Sequence, residues 1–302
     1  MTTIDFTEHK KNWADQFLRE HGYPAEARAS LPEDLNKLFR SPQLTELFLS
    51  CTDRYKACPQ VPTEADFAVL RQLAPGCGVH PYSAYALLLI SLYEEMWEAY
   101  QARGWSRSLW FDTSRDLYYK VIECRHLHGV WGTFVPAWFP GFFYLKRFAL
   151  GRLQFEPSCY PGPGRTLPGL TLREGDPVLD LHIPSAGPLK HEDVSASYRQ
   201  ARAFFRHYFQ DKPMVVCCCS WLLSSVHLDK LPPDSNLCRF ASDFILLDEY
   251  IQADDHDLWR IFEGKNTGDP SCWPRDTRLQ QIYADHLAAG GHMTSREGIL
   301  IL

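Results

Sequence analysis

Apolar side chains recur at helical spacing through the first 130 positions of the chain, which places them on one face of successive α-helices. Thr7, Ser41 and Thr63 each precede such a stretch, and their hydroxyl groups suit the position that caps a helix. Pro81 suits the first turn of a long helix that ends near Gly104 and is apolar almost all round. The pattern therefore predicts a helical N-terminal region.

The pattern changes in the second half of the chain. Residues 149–156 and 177–183 alternate between apolar and polar side chains, which is typical of half-buried strands. Helical spacing returns over 192–209, and 214–223 is a nearly continuous apolar run, as expected of a strand buried on both faces. This order of strand, helix and strand predicts a right-handed crossover between parallel neighbours. A strand over 236–247, helices over 255–262 and 277–289, and a final strand over 298–302 complete the prediction.

These patterns together predict an α+β protein. We expect an all-helical domain over residues 1–130 and a mixed β-sheet domain with flanking helices over residues 131–302. The aromatic segment 131–144 joins the two patterns. It either covers the junction between the domains or lines a tunnel for an apolar chain.

Composition narrows the classes of partner. The formal net charge is −6 and the chain has no long basic stripe, so nucleic acid is excluded as a partner and a small cationic amine is favoured. No apolar run is long enough to span a membrane, and the polar first residues lack a secretory segment. The spacing of the ten cysteines does not match a metal site and indicates reduced thiols. We therefore expect a cytoplasmic protein without a metal.

Short strings in the second half occur in a characteristic order. They are LGRLQFE at 150–156, HIP at 182–184, SWLL at 220–223, LPPDSN at 231–236, RF at 239–240, DTRLQ at 276–280 and HLAAGG at 286–291. As a set they resemble bacterial acyltransferase-domain proteins that have a helical N-acyltransferase N-terminal domain and a GNAT-like C-terminal domain. The resemblance implies an acyltransferase that uses acetyl-CoA or another acyl-CoA as co-substrate.

The resemblance also implies where the donor binds. Strands 177–183 and 214–223 are expected to splay apart, with pantetheine in the gap and pyrophosphate at the N-terminus of helix 192–209. The residues expected to contact coenzyme A are Ile183, Ser185, Ala186, Gly187, Cys219 and Ser220. An ordinary turn at 185–187 and small core residues at 219–220 are the alternatives. Pro188 removes one backbone donor from this loop.

Acyl transfer to an amine requires a general base, donors for the oxyanion and an acid for the thiolate. Glu156 and His182 are the candidate catalytic bases, because they lie on the polar faces of strands that suit an antiparallel pair. The alternatives are a His bonded to its own loop and a salt bridge from Glu156 to Arg152 or Arg239.

Two functions follow from these candidates. The first is an acyl-CoA-dependent acyltransferase that acetylates or acylates an amine of a small molecule. The second is a GNAT-shaped protein that binds an acyl-CoA or a partner without catalysis, which the irregular loop at 184–188 favours.

Overall fold

The computed structural model describes residues 2–210 and 212–302. It separates into two compact units, one ending at Phe148 and the other beginning at Ala149. The assignment of separate domains to residues 1–130 and 131–302 stays a prediction.

The N-terminal unit is helical, as its apolar spacing predicts. Its helices are α1 (Thr3–Glu20), α2 (Ala25–Leu38), α3 (Pro42–Ala57), α4 (Glu64–Leu73), α5 (Pro81–Ala102), α6 (Arg107–Ser114), α7 (Asp116–His128) and α8 (Pro140–Phe143). Turns of 3₁₀-helix lie at Ala74–Cys77 and Pro136–Trp138. Helix α5 is buried on all its faces from Leu87 to Ile90 and packs against its neighbours α1 to α4 and α6. It is therefore the central helix that its composition predicts.

Hydrogen bonds from capping residues mark the first turns of helices α3 and α4. The Ser41 hydroxyl accepts the Leu44 amide, and the Thr63 amide donates to the Asp66 carboxylate. The prediction of a cap at Thr7 is wrong, because α1 already begins at Thr3 and Thr2 caps it through the Asp5 amide. A second capping residue a few positions upstream gives the same local signal, so the earlier start was missed.

A buried ion pair lies within the N-terminal unit. The Lys10 side chain on α1 is 1% exposed, and its Nζ lies 2.6 Å from Glu95 Oε1 and 2.8 Å from Glu94 Oε2 on α5. Burial raises the pKa of Glu95, and the positive charge of Lys10 opposes that rise. The pair joins the first helix to the central one.

The C-terminal unit contains the strands. They are β1 (Phe148–Leu150), β2 (Leu153–Cys159), β3 (Arg165–Leu167), β4 (Leu170–Leu172), β5 (Pro177–His182), β6 (Val215–Ser220), β7 (Ile245–Ile251) and β8 (Thr294–Ile301). The helices are α9 (His191–Phe204), α10 (Arg206–Phe209), α11 (Ser225–Leu228), α12 (Asn236–Ser242), α13 (Trp259–Phe262) and α14 (Arg278–Ala288). Turns of 3₁₀-helix lie at Trp221–Leu223, Ala253–Asp255 and Pro270–Cys272.

The main sheet has the order β1-β2-β5-β6-β8-β7 in the described chain, and β3 and β4 form a separate hairpin. Strands β5 and β6 are parallel, as the strand–helix–strand order predicts, while β2 with β5, β6 with β8 and β7 with β8 are antiparallel. The sheet is therefore mixed, and the predicted α+β class is confirmed.

Two predicted elements are wrong. Residues 149–156 are not one strand: they belong to β1 and β2, which a turn at Gly151 and Arg152 separates. Gly151 has a φ of 75°, which reverses the chain without disturbing the apolar alternation. Residues 236–247 begin as helix α12, because the Ser235 hydroxyl accepts the Cys238 amide, and the strand starts only at Ile245.

None of the helices within the described residues is both long enough and apolar enough to cross a membrane. The cytoplasmic location stays a prediction.

Replacing Lys10 with Met should lower the free energy of unfolding by about 3–5 kcal/mol, because the buried Glu95 carboxylate then loses its hydrogen-bonded cation and is left with the exposed Lys56 at 4.0 Å. Urea denaturation monitored by circular dichroism measures this loss. Lys11→Met is the matched control, since Lys11 lies 3.9 Å from an exposed Glu8 and should cost less than about 1 kcal/mol. Equal losses in the two variants would contradict a structural role for the buried pair.

Candidate functional site

The parallel pair at the centre of the sheet is joined over a short length only. Within the described residues, strands β5 and β6 pair at Leu179 with Val216 and at Asp180 with Cys217, and they pair at no position further toward either end. On their outer sides both strands continue: β5 pairs with β2 as far as His182, and β6 pairs with β8 as far as Ser220. We call the facing edges of β5 and β6 beyond Asp180 and Cys217 the seam. Beyond these positions each strand is held by its outer neighbour.

The two candidate bases lie together beside the seam. Glu156 on β2 is the cross-strand partner of Asp180, and His182 lies two residues further along β5, so all three side chains share one face of the sheet. His182 Nε2 lies 3.4 Å from Glu156 Oε2, and the two side chains are 24% and 19% exposed. Both side chains are thus partly exposed, while the Nε2 atom of His182 is itself buried.

The same face continues across β6. Asp180 pairs with Cys217 and Cys219 pairs with Glu297, so these side chains also belong to it. Burial raises the pKa of Cys217 to about 12, and the nearby carboxylates of Asp180 and Glu297 contribute to the rise. Cys217 is therefore a neutral thiol between two acidic groups at neutral pH.

Cys219 is the exposed thiol on this face, and its Sγ is hydrogen-bonded to the hydroxyl of Tyr250 on β7. Burial and then this hydrogen bond raise the pKa of Tyr250 above its usual value, so the phenol carries its proton at neutral pH. Sequence reasoning missed Tyr250, because the pairing requires β8 to lie between β6 and β7.

The loop between β5 and α9 contains the other predicted donor-binding residues. Ile183, Ser185, Ala186 and Gly187 follow β5 directly, and Gly187 has a φ of 98°, a conformation that favours glycine. Lys190 is the N-cap of α9 and makes no side-chain cap bond within the described residues. The first-turn amides of α9 thus lie beside a loop of small residues, although Glu192 and Asp193 bring negative charge to the same turn.

The side chain of Arg152 holds this loop through hydrogen bonds to the backbone of the loop. Its guanidinium donates to the carbonyl oxygens of Pro184 at 2.9 Å, Gly187 at 2.5 Å and Pro188 at 3.3 Å. The planar fork of Arg suits several acceptors at once. These bonds fix the path of the loop that follows β5, and within the loop the Ala186 amide donates to the Pro184 carbonyl at 2.8 Å.

Arg152 is itself positioned by helix α9. The Ser197 hydroxyl is buried and accepts the amides of Arg152 at 2.7 Å and Leu153 at 3.3 Å, while it donates to the Asp193 carbonyl. A Cβ at Gly151 would come within 2.8 Å of the Ser197 hydroxyl. The close approach of turn and helix therefore requires glycine at this position.

A buried polar network fixes the segment after β6. Glu249 accepts from the Ser225 amide and the Thr294 hydroxyl, and the Ser224 hydroxyl also bonds to Thr294. Burial raises the pKa of Glu249, but these hydrogen bonds outweigh burial and hold it below the usual value. Burial also lowers the pKa of His227 to about 4, so this nearby imidazole is neutral at physiological pH.

The remaining predicted residue, Ser220, lies apart from the bases. It is adjacent to Cys219 on β6 and so faces the other side of the sheet, where its hydroxyl accepts the Leu222 amide. No group of three or more metal-ligating side chains occurs in the part of the chain that the structure describes. The catalytic and donor-binding roles of the predicted residues stay predictions.

Family models match both units. Residues 13–145 match the N-acyltransferase N-terminal domain, and residues 147–300 match the GNAT-like C-terminal domain. No curated protein matches the chain.

Solved structures share the fold at low identity. An acyltransferase in complex with decanoyl-CoA and teicoplanin is 21% identical, with a TM-score of 0.72 over 96% of this chain and 87% of that one. An acyltransferase with decanoyl-CoA is 21% identical, with a TM-score of 0.62 over 96% and 99% of the two chains. A third, with CoA and 10C-teicoplanin, is 20% identical, with a TM-score of 0.67 over the same shares.

Replacing Arg152 with Gln should make the loop more mobile, because the guanidinium hydrogen bonds to the three carbonyl oxygens are lost. We expect the amides of residues 185–190 to exchange with deuterium about 10-fold faster, as measured by mass spectrometry. Arg173→Gln removes the same charge from an exposed position and should leave exchange in this loop unchanged. If the loop amides exchange as slowly in Arg152→Gln as in the unchanged protein, the guanidinium hydrogen bonds do not hold the loop in place.

Proposed function

Because the chain belongs to the family with a GNAT-like C-terminal domain, we propose that it is an acyltransferase that moves an acyl group from an acyl-CoA to an amine of a small molecule. The single observation that carries the proposal is the seam, where a parallel pair is joined at two positions beside Glu156 and His182. We assign this chemistry to the predicted domain over residues 131–302.

The acyl-CoA donor occupies the seam in this proposal. Acyltransferases that share the fold hold decanoyl-CoA or CoA, which supports the same class of donor here. Pantetheine lies between β5 and β6, and the pyrophosphate lies against the loop 183–187 and the first turn of α9. Lys190 and Arg152 offset the charge of Glu192 and Asp193 at this end of the helix.

The reaction then needs one proton acceptor and one proton donor. The amine nitrogen attacks the thioester carbonyl carbon, so a C–N bond forms, the C–S bond breaks and coenzyme A leaves as a thiolate. His182 accepts the proton of the attacking amine, and the Glu156 carboxylate stabilises the imidazolium. The protonated Tyr250, with Cys219 beside it, is positioned across β6 to return a proton to the thiolate.

The charge of the site supports an amine acceptor. Glu156, Asp180 and Glu297 lie on the face that carries the candidate bases, and a cationic substrate is attracted to such a face. The acyltransferases with teicoplanin or 10C-teicoplanin support an acceptor in the small-molecule class.

A second candidate is a protein that binds acyl-CoA and does not turn it over. Pro188 lacks an amide donor, and Glu192 and Asp193 oppose a diphosphate at the first turn of α9. A poorly held donor would bind and still not reach the geometry that transfer requires.

Calorimetry with coenzyme A and thiol release from acetyl-CoA and decanoyl-CoA over a panel of primary amines separate the two candidates. We expect saturable binding of coenzyme A and amine-dependent release of thiol. Binding without release for any amine supports the silent binder. Absence of binding contradicts both candidates.

Glu156→Gln and His182→Gln should each slow thiol release by about 100-fold. The His182 variant lacks the group that accepts the amine proton, and the Glu156 variant lacks the carboxylate that stabilises the resulting imidazolium. Coenzyme A binding should change less than about 3-fold, since neither side chain holds the donor in the proposal. Glu174→Gln and His126→Gln alter exposed residues of the same types and serve as controls. Unchanged turnover in both site variants would contradict the assignment of His182 and Glu156 to the proton transfer.

A further inference from the structure

A cavity that is open to solvent lies toward the C-terminal end of helix α9. It has a volume of about 760 Å³, within the range of small-molecule sites. Its lining includes the cations Arg199, Arg202, Arg206 and Lys212 and the apolar side chains Phe209 and Met214. We call this the basic cavity.

The cations form a stripe with few opposing charges. Arg199, Arg202 and Arg206 follow one another at intervals of three and four residues, so they share one side of α9 and the start of α10. Within the described residues no carboxylate lies at ion-pair distance from them; Asp211 lies outside those residues. Elsewhere in the chain exposed Arg side chains do pair, as Arg107 with Glu20 and Arg260 with Asp257.

Such a stripe is unusual in a chain with a net charge of −6. Like charges on neighbouring helical positions repel one another by a few tenths of a kcal/mol per pair. The C-terminal end of α9 offsets part of that repulsion with its partial negative charge. A bound anion would offset the rest, and it would be the common partner of all the cations.

The basic cavity is separate from the seam. Arg202 lies 11 residues after His191, the first residue of α9, which is about 16 Å along the helix axis. Met214 precedes the first residue of β6, whereas the seam begins beyond Cys217, toward the opposite end of that strand. A ligand here therefore does not occupy the proposed donor site.

We propose that the basic cavity binds a small polyanion that carries at least two phosphate groups. Guanidinium groups match phosphate oxygens in paired hydrogen bonds, and several of them around one space select multiple negative charge over a single carboxylate. The buried side chains of Phe209 and Met214 provide an apolar floor for a non-phosphate part of the ligand. The phosphates belong either to a soluble phosphate ester or to a phospholipid headgroup.

Calorimetric titration with inorganic pyrophosphate tests the soluble ligand, in protein that already contains saturating CoA. We expect saturable binding that Arg202→Gln with Arg206→Gln weakens at least about 10-fold, because charge-assisted bonds are lost. Arg173→Gln with Arg278→Gln removes the same charge from exposed positions away from the cavity and should change binding less than about 2-fold. Lys212→Gln is a further single variant in case the double variant is unstable, which thermal unfolding reveals.

Sedimentation with vesicles tests the headgroup. Vesicles of phosphatidylcholine with and without a phosphorylated phosphatidylinositol are compared in the same variants. Binding of pyrophosphate alone identifies a soluble ligand, and vesicle binding that depends on Arg202 and Arg206 identifies a lipid. Neither form of binding, or equal loss in the cavity and control variants, overturns the proposal. CoA affinity measured in the same variants tests the donor site separately, so a failure of one assignment leaves the other intact.

Discussion

The site depends on how two parallel strands are joined to each other and to their outer neighbours. A parallel pair normally continues until one strand ends, because unpaired backbone groups are costly when buried. In the described residues, β5 and β6 each use their outer edges fully, with β2 and β8, and share two pairs with each other. The outer neighbours therefore fix the directions of both strands beyond those pairs. Helix α9 lies on the path from β5 to β6, and its first turn begins after the loop that follows β5.

Much of this arrangement follows from local sequence signals. The helical spacing of the first half, the alternation at 177–183 and the apolar run at 214–223 predict the helices, the parallel pair and the crossover between them. Glu156 and His182 were expected on matching polar faces, and an antiparallel register brings them to 3.4 Å. These inferences succeed because strand alternation and helix period are short-range properties.

The rest required information from distant parts of the chain. The turn at Gly151 was missed because a two-residue hairpin leaves the alternation of apolar side chains intact. The pattern at 236–242 predicts a strand where helix α12 lies, because a short helix and a short strand of similar composition differ mainly in their caps. Tyr250 reaches Cys219 only because the last strand of the chain inserts between their two strands. Strand order of that kind is a tertiary choice, and no local pattern encodes it.

The loop between β5 and α9 has a consequence for how the chain can vary. Arg152 contacts this segment through main-chain oxygens, so the bonds are indifferent to the side chains at those positions. One rigid guanidinium has to reach three points spread over five consecutive residues. Apart from Gly187, whose φ of 98° favours glycine, these bonds leave homologous chains free to exchange amino acids here, whereas an insertion or deletion would carry at least one oxygen out of reach. Constant length combined with variable identity is the evolutionary signature that this anchoring implies.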